Sequence, residues 1–247
     1  MCTLFHSLCV KFPDVVSPKN DANEIEMYIV NPGCLYVLEN VWSEGECQTM
    51  IDIIDRQIAT TASASRSYDT QLRKYTRAEW YANQSSPTLM RHLDQLWQRL
   101  KPWLPATIEH EGQRWHLCGL NSYLRCNRYA TGDFFQAHRD VPTQLPGKDD
   151  TRTFLTLNIF LNTVATSCGG ATRFYEDSKS TTWSAKHEPR VAASIQPRAG
   201  RVVVFSHTML HDGSTVHSGV KYIMRTDCVY TTKTESKPSP LLAISNA

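Results

Sequence analysis

Residues 153–161 read Thr153-Phe-Leu-Thr-Leu-Asn-Ile-Phe-Leu161, and the odd positions Leu155, Leu157, Ile159 and Leu161 are all aliphatic. Alternate side chains of a strand project to opposite faces, so this pattern predicts a strand with one face laid against a core. The even positions, Phe154, Thr156, Asn158 and Phe160, mix aromatic and polar groups. That mixture suits a pocket wall, with a plain outer face as the alternative. Outward from this stretch the same period of two recurs at 122–129, 134–138, 171–175, 191–196, 201–206 and 220–230, each run bounded by turn-forming residues. Roughly seven or eight short strands from about Leu120 onward predict a jelly roll or a barrel.

The first half carries a helical signal instead. Ser43-Glu-Gly-Glu46 forms a capping box ahead of Cys47, Met50, Ile51, Ile54 and Ile58 at helical spacing. A second helix follows Pro87, with Leu89, Met90, Leu93, Leu96, Trp97 and Leu100 on one face and a stop at Pro102. Between them, residues 66–86 are polar and rich in arginine and aromatic side chains, and read as a lid-like loop. Arg73, Lys74 and Arg77 would there meet an anionic group of a substrate, and Trp80 and Tyr81 would supply an apolar wall; a solvated, partly packed loop is the alternative. The fold class is therefore α+β, mainly β with N-terminal helices. One domain is expected: an arm over 1–30, a helical support layer with the substrate loop over 31–118, a β core over 119–232 and a flexible tail over 233–247.

Composition excludes several classes. The 247 residues carry 26 Lys and Arg against 24 Asp and Glu, a net charge of +2, too little for a bulk electrostatic claim on nucleic acid. No apolar run approaches the roughly 18–20 residues that a membrane-spanning helix needs. The eight cysteines contain no C-x-x-C pair, which leaves no zinc ribbon and points to free thiols in a reducing, cytoplasmic setting. The opening Met1–Val10 stretch lacks a basic segment and a small-residue cleavage site, so a signal peptide is not expected.

Two His-x-Asp triplets occur, His92-Leu-Asp94 and His138-Arg-Asp140. In a helix, positions i and i+2 point about 200° apart, whereas in a strand they share a face. His92 and Asp94 fall in the second helix and read as solvated surface. His138 and Asp140 end a β-type segment, so imidazole and carboxylate can converge on one ion. His211, just after the 201–206 run, is a third candidate. Two imidazoles and a carboxylate fit the facial triad of non-haem Fe(II) oxygenases, with positions left open for cosubstrate and O₂. Lys221, Ile223 and Arg225 share one strand face, so two cations can line a cavity that holds a dicarboxylate. His207 and His217 read as neighbours of the site or as exposed, and Cys168 as a turn thiol.

From Gly119 to Tyr230 the chain resembles the prolyl 4-hydroxylase-like branch of the Fe(II)/2-oxoglutarate-dependent dioxygenases. The resemblance rests on residues 120–129, on Gly132-Asp-Phe-Phe-Gln-Ala-His-Arg-Asp140, on residues 152–162, on Gly169-Gly-Ala-Thr-Arg-Phe174 and on His211-Asp-Gly-Ser-Thr-Val-His-Ser-Gly-Val-Lys-Tyr222, in that order. It implies a double-stranded β-helix core, iron held by His138, Asp140 and His211, and a cosubstrate carboxylate held by Lys221 with help from Tyr129. Arg225, Thr156 and Phe160 would complete the cosubstrate pocket, with Phe160 standing where relatives often carry tyrosine; Asn158 would face the substrate. The implied cofactors are Fe(II), with 2-oxoglutarate and O₂ as cosubstrates and ascorbate as reductant. The implied reaction is hydroxylation of an unactivated C–H bond in a prolyl residue or a small molecule, with succinate and CO₂ as coproducts. The rivals are a jelly-roll binding protein that keeps the pocket without turnover and a zinc hydrolase on the same triad, which leaves Lys221 and Arg225 unexplained. No nucleic-acid or membrane partner is expected, and the oligomeric state is open.

Overall fold

The computed structural model describes residues 9–10, 24–60, 65–82, 86–142, 144–145, 148–176, 190–233 and 241–242. The opening Met1–Val10 reading, most of the arm and most of the tail therefore lie outside the described side chains. The fold is mainly antiparallel β in two layers, with Leu241–Leu242 pairing parallel to Gln113–Asn121. In the larger layer, hydrogen-bonded neighbours run Ser65–Asp69, Arg73–Tyr81, Tyr123–Tyr129, Lys221–Thr231, Lys148–Phe160, Val202–Ser206, Leu35–Glu39 and Glu26–Asn31. The distal half of Lys221–Thr231 also pairs with Gln113–Asn121. The smaller layer runs Phe134–His138, His211–Gly213, Thr172–Tyr175 and Val191–Ile195. Arg73 and Lys74 pair with Phe135 and Phe134 and join the two layers into a jelly roll.

Side-chain alternation divides the interior in two. Leu155, Leu157, Ile159, Val202, Val204, Met224 and Tyr230 pack with the helices α1 (Glu44–Thr60) and α2 (Pro87–Leu100) on the outer face of the large layer. Phe160, Val203, Phe205, Ile223 and Tyr129 face inward and meet Phe174 and Val216 between the layers. The aliphatic odd face of 153–161 is thus the helix-facing side, and the even face points between the sheets. Phe154 is the exception. The register with the neighbouring strand shifts between Thr153 and Leu155, and a bulge of this kind turns a side chain to the other face, so Phe154 joins Trp115 and Tyr230 in the helix-side core.

The capping box forms as the sequence reads. Glu46 N–H donates to Ser43 Oγ at 3.2 Å and Ser43 N–H donates to Glu46 Oε2 at 2.8 Å. Arg99 on α2 grips the same carboxylate through two 2.8 Å bonds and so ties the helices together. Gly200 permits this corner, because its φ is +78° and a Cβ there would lie 1.9 Å from Trp42 O.

Three expectations are corrected. Residues 66–86 are no loop: Ser65–Asp69 and Arg73–Tyr81 form a hairpin that extends the large layer, with residues 83–85 outside the described set. The supposed helical layer over 31–118 also supplies strands, among them Leu35–Glu39, Thr107–His110 and Gln113–Asn121. His92 is buried, its ring edge-on to Trp42 and its Nδ1 2.8 Å from Thr88 O. It lies one turn from Leu89 and from Leu96, which places it on the inward face of α2. Among the described residues no helix is long and apolar enough to cross a membrane.

Candidate active site

The smaller layer and the turn after it bring together a group that could hold a metal ion. His138 ends its strand opposite His211, the two being register partners with ring centroids 4.3 Å apart. Asp140 follows two residues later, with Oδ1 4.0 Å from His138 Nε2 and Oδ2 4.0 Å from His211 Nε2. One donor atom from each of the three lies within 4.8 Å of the others. Both Nδ1 atoms sit beside backbone carbonyls, that of His138 2.8 Å from Gln136 O and that of His211 3.0 Å from Met209 O. An Nδ1–H donated to a carbonyl fixes the tautomer and leaves the Nε2 lone pair for a cation. Burial lowers the pKa of both rings, that of His211 to about 4 with the help of its neighbour His138. Both imidazoles are therefore neutral near pH 7, the form that a metal requires. Phe135 stacks on His138 at 3.8 Å and Phe205 meets His211 edge-on at 4.6 Å, so the rings are held by packing as well.

Asp140 is buried, which by itself would raise its carboxyl. Arg225 and His211, with a hydrogen bond from Thr156, overcome this and hold it below the usual range. Thr156 Oγ1 donates to Oδ2 at 2.6 Å and Arg225 Nη1 lies 2.6 Å from Oδ1. Arg225 also reaches Asp227 Oδ1 at 3.3 Å. His207, fully buried, places Nε2 3.4 Å from that same oxygen. Asp227 was absent from the sequence reading, although it continues the alternation 221, 223, 225, 227 on one strand face.

Across the cavity stands Lys221, 1 % exposed and the register partner of Tyr129. Its ammonium lies 5.2 Å from the Tyr129 ring centroid and 5.7 Å from that of Phe160. Among the described residues no carboxylate comes within ion-pairing distance of it. Burial drives its pKa down to about 7, opposed by Asp212. An enclosed, uncompensated ammonium suits an incoming carboxylate. Burial raises the Tyr129 phenol, which keeps it protonated and able to donate. Gly170, with φ +74°, brings its backbone close: a Cβ there would lie 3.4 Å from Lys221 Cδ. Asp212, beside His211, is held by Arg173 at 2.5 Å and accepts from the Tyr175 hydroxyl at 2.6 Å.

Arg77, Asn127, Tyr129, Asn158, Lys221 and Arg225 line one pocket with the two histidines. Arg77 is engaged with Asn127, Tyr75 and Glu79. Arg73 is not among the residues that line the pocket; its guanidinium lies 4.1 Å over Tyr68 and 5.9 Å from the ring of the lining residue Phe135, and among the described residues it has no carboxylate partner. Trp80 is not brought to this pocket. It occupies the opposite strand face, against the helix-side core, where it lines a separate groove with Asp52, Ile53 and Pro87. His217 is exposed.

Comparison with known proteins agrees with this geometry. Residues 124–226 match the family model described as the 2OG-Fe(II) oxygenase superfamily, and those residues include His138, Asp140, His211 and Lys221. A search of curated protein sequences finds no significant match. Among solved structures, a prolyl hydroxylase from Trichoplax adhaerens in complex with a hypoxia inducible factor peptide fragment is similar at 14% identity and a TM-score of 0.54, over 78% of this chain and 82% of that one. A non-heme alpha-ketoglutarate-dependent epimerase from nogalamycin biosynthesis is similar at 15% identity and 0.52, over 86% and 91%. A viral collagen prolyl hydroxylase from Paramecium Bursaria Chlorella virus-1, in its 2OG complex, is similar at 15% identity and 0.50, over 83% and 99%. At these identities the structures speak to the fold, which is the jelly roll they share. Over residues 124–226 the chain is thus similar to the 2OG-Fe(II) oxygenase superfamily, and the jelly-roll fold and the converging His, Asp and His side chains agree with that match.

Proposed function

We propose that the protein is an Fe(II)- and 2-oxoglutarate-dependent dioxygenase that uses O₂ to hydroxylate an unactivated C–H bond, with succinate and CO₂ as coproducts, on a substrate that carries an anionic group: a prolyl residue in a peptide, or a small molecule. The observation that carries the reading is the common pocket of His138, His211 and Lys221, with Asp140 at its edge. The donor set fits iron, since two neutral imidazoles and one carboxylate converge and leave coordination positions for other ligands. His138, Asp140 and His211 would hold the metal, and Lys221 with Tyr129 would hold the far carboxylate of 2-oxoglutarate. The oxidising power for C–H cleavage would come from O₂; iron held there would activate it, and 2-oxoglutarate would supply two electrons as it is oxidised to succinate and CO₂.

The protein's share is positioning and exclusion of water. Phe135, Phe174 and Phe205 wall the histidines. Thr156 and Phe160 stand on the inner face of their strand, Thr156 at Asp140 and Phe160 near Lys221. Arg73, without a carboxylate partner among the described residues and beside the lining residue Phe135, is the group that meets the anionic end of the substrate; Asn158 lines the pocket itself. The prolyl hydroxylase and the epimerase described above carry peptide and natural-product chemistry on this fold, which supports both substrate classes. Free thiols at Cys47, Cys126, Cys168 and Cys228 support a reducing, cytoplasmic setting.

Anaerobic titration with Fe(II) and 2-oxoglutarate tests the metal and cosubstrate reading through the visible charge-transfer band of the chelate. The band is expected in the wild type and absent from His211→Ala. No band in the wild type, with both components bound at saturating levels, overturns it.

A further inference from the structure

Three cations line the pocket; Arg77 is tied to Asn127, Tyr75 and Glu79, and the structure gives Lys221 and Arg225 different work. Lys221 faces open cavity, whereas Arg225 is committed to protein carboxylates. Its Nη1 lies 2.6 Å from Asp140 Oδ1, and its Nη2 donates to Asp227 Oδ1 and to Thr156 Oγ1, each at 3.3 Å. Thr156 donates in turn to the other oxygen of Asp140 at 2.6 Å. Arg225 and Asn158 are register partners on adjacent strands, so the two groups that hold Asp140 come from paired strands of the larger layer, while the histidines come from the smaller one. Both oxygens of Asp140 are therefore fixed from behind, and each points toward one histidine, 4.0 Å from its Nε2.

A guanidinium beside a metal-binding carboxylate competes with the cation for its charge. Here Asp227, 2 % exposed, offsets that competition from the far side of the same guanidinium. His207 at 3.4 Å and Arg125 at 4.0 Å close the remaining approach to Asp227. With the charge balanced, what Arg225 contributes is orientation, and hydrogen-bond partners behind metal ligands commonly set affinity in this way. Resting on the metal site proposed above, we infer that Arg225 is a positioning residue that aims Asp140 between His138 and His211, and that the far carboxylate of the cosubstrate falls to Lys221.

The test is a titration of the metal-free full chain with Co(II), without 2-oxoglutarate, followed by calorimetry and visible absorption. Arg225→Gln is expected to raise the Co(II) dissociation constant about 10- to 100-fold, and Arg225→Lys to recover part of that loss. On the Co(II)-saturated protein, 2-oxoglutarate affinity should then change little in Arg225→Gln but fall at least about tenfold in Lys221→Ala, the loss of a buried charge partner. Wild-type Co(II) affinity in Arg225→Gln, with 2-oxoglutarate binding lost, overturns the inference. Should Arg225→Gln fail to fold, Thr156→Val removes the other bond to Asp140 at nearly constant shape. Weakened Co(II) binding there supports the clamp, and unchanged binding overturns it. A wild type that binds no Co(II) refutes the metal site itself, which separates the two failures.

Discussion

At the scale of single residues, the buried ammonium of Lys221 makes the sharpest forecast. Burial holds its pKa at about 7, and a carboxylate placed against it would favour the charged form. Below pH 7 the ammonium is already charged and binding of 2-oxoglutarate takes up no proton. Above pH 7 the free protein has lost that proton, so binding must recover it, and affinity is expected to fall by up to about tenfold per pH unit. Isothermal titration in buffers of different ionisation enthalpy reads the proton uptake directly. The same affinity at pH 6.5 and 8.5 would rule out this role for Lys221. The histidines, Asp140 and Lys221 were legible because their spacing and strand parity are written in sequence. The clamp behind Asp140 was not, since Thr156, Arg225 and Asp227 acquire their meaning only when two strands pair in one register. His92 misled for a related reason: a polar type on a helix suggests solvent, while its one-turn distance from Leu89 and Leu96 placed it inward.

At the scale of elements, Ser43 and Glu46 are where local sequence and tertiary packing coincide. The capping box starts α1, and Arg99 makes the same carboxylate a bridge to α2. Ser43→Ala should cost about 1 kcal/mol, as lost caps typically do, and lower the melting temperature by roughly 2–4 °C for a chain of this size. Co(II) affinity should not change, because none of the three proposed ligands lies on either helix. Burial would raise Glu46, but Arg99 and Ser43 hold its carboxyl below the ordinary value. A lowered folded pKa contributes stability that is present above the unfolded pKa and lost as pH falls through the folded one. The gap between wild type and Glu46→Gln in thermal melts should therefore be full at neutral pH and narrow under acid conditions; a gap independent of pH would deny the charge any part. Short β-type runs bounded by turn-forming residues made the strands from Tyr123 onward readable. Leu35–Glu39 is buried at every position and carries no alternation; Val202–Ser206 is equally buried, and its run of valines is what made it readable. Arg73–Tyr81 escaped because polar and aromatic groups fall on both of its faces.

At the scale of the whole molecule, one strand divides stability from function. Leu157 and Asn158 are adjacent, yet Leu157 is sealed in the core beneath the helices and Asn158 lines the pocket between the layers. The helix-side core is the larger and holds the scaffold together; the inner one borders the proposed site. Leu157→Ala should cost about 2–5 kcal/mol through lost burial and the cavity left behind, a fall of roughly 2–4 °C in melting temperature per kcal/mol. Its site should survive. A cation that binds only the folded state stabilises by RT ln(1 + [L]/Kd), about 2.7 kcal/mol at a hundredfold excess over Kd. Co(II) should therefore raise the melting temperature of Leu157→Ala by nearly the increment seen in wild type, and should raise that of His211→Ala very little. Asn158→Ala should melt close to wild type and keep its response to Co(II), because Asn158 is not among the three proposed ligands, while the KM for the oxidised substrate rises. Differential scanning calorimetry with and without Co(II), on these variants in parallel, measures both terms in one experiment. If Leu157→Ala lost its response to Co(II) while still folding cooperatively, the two faces of this strand would not be separable, and the division of labour read from its alternation would be wrong.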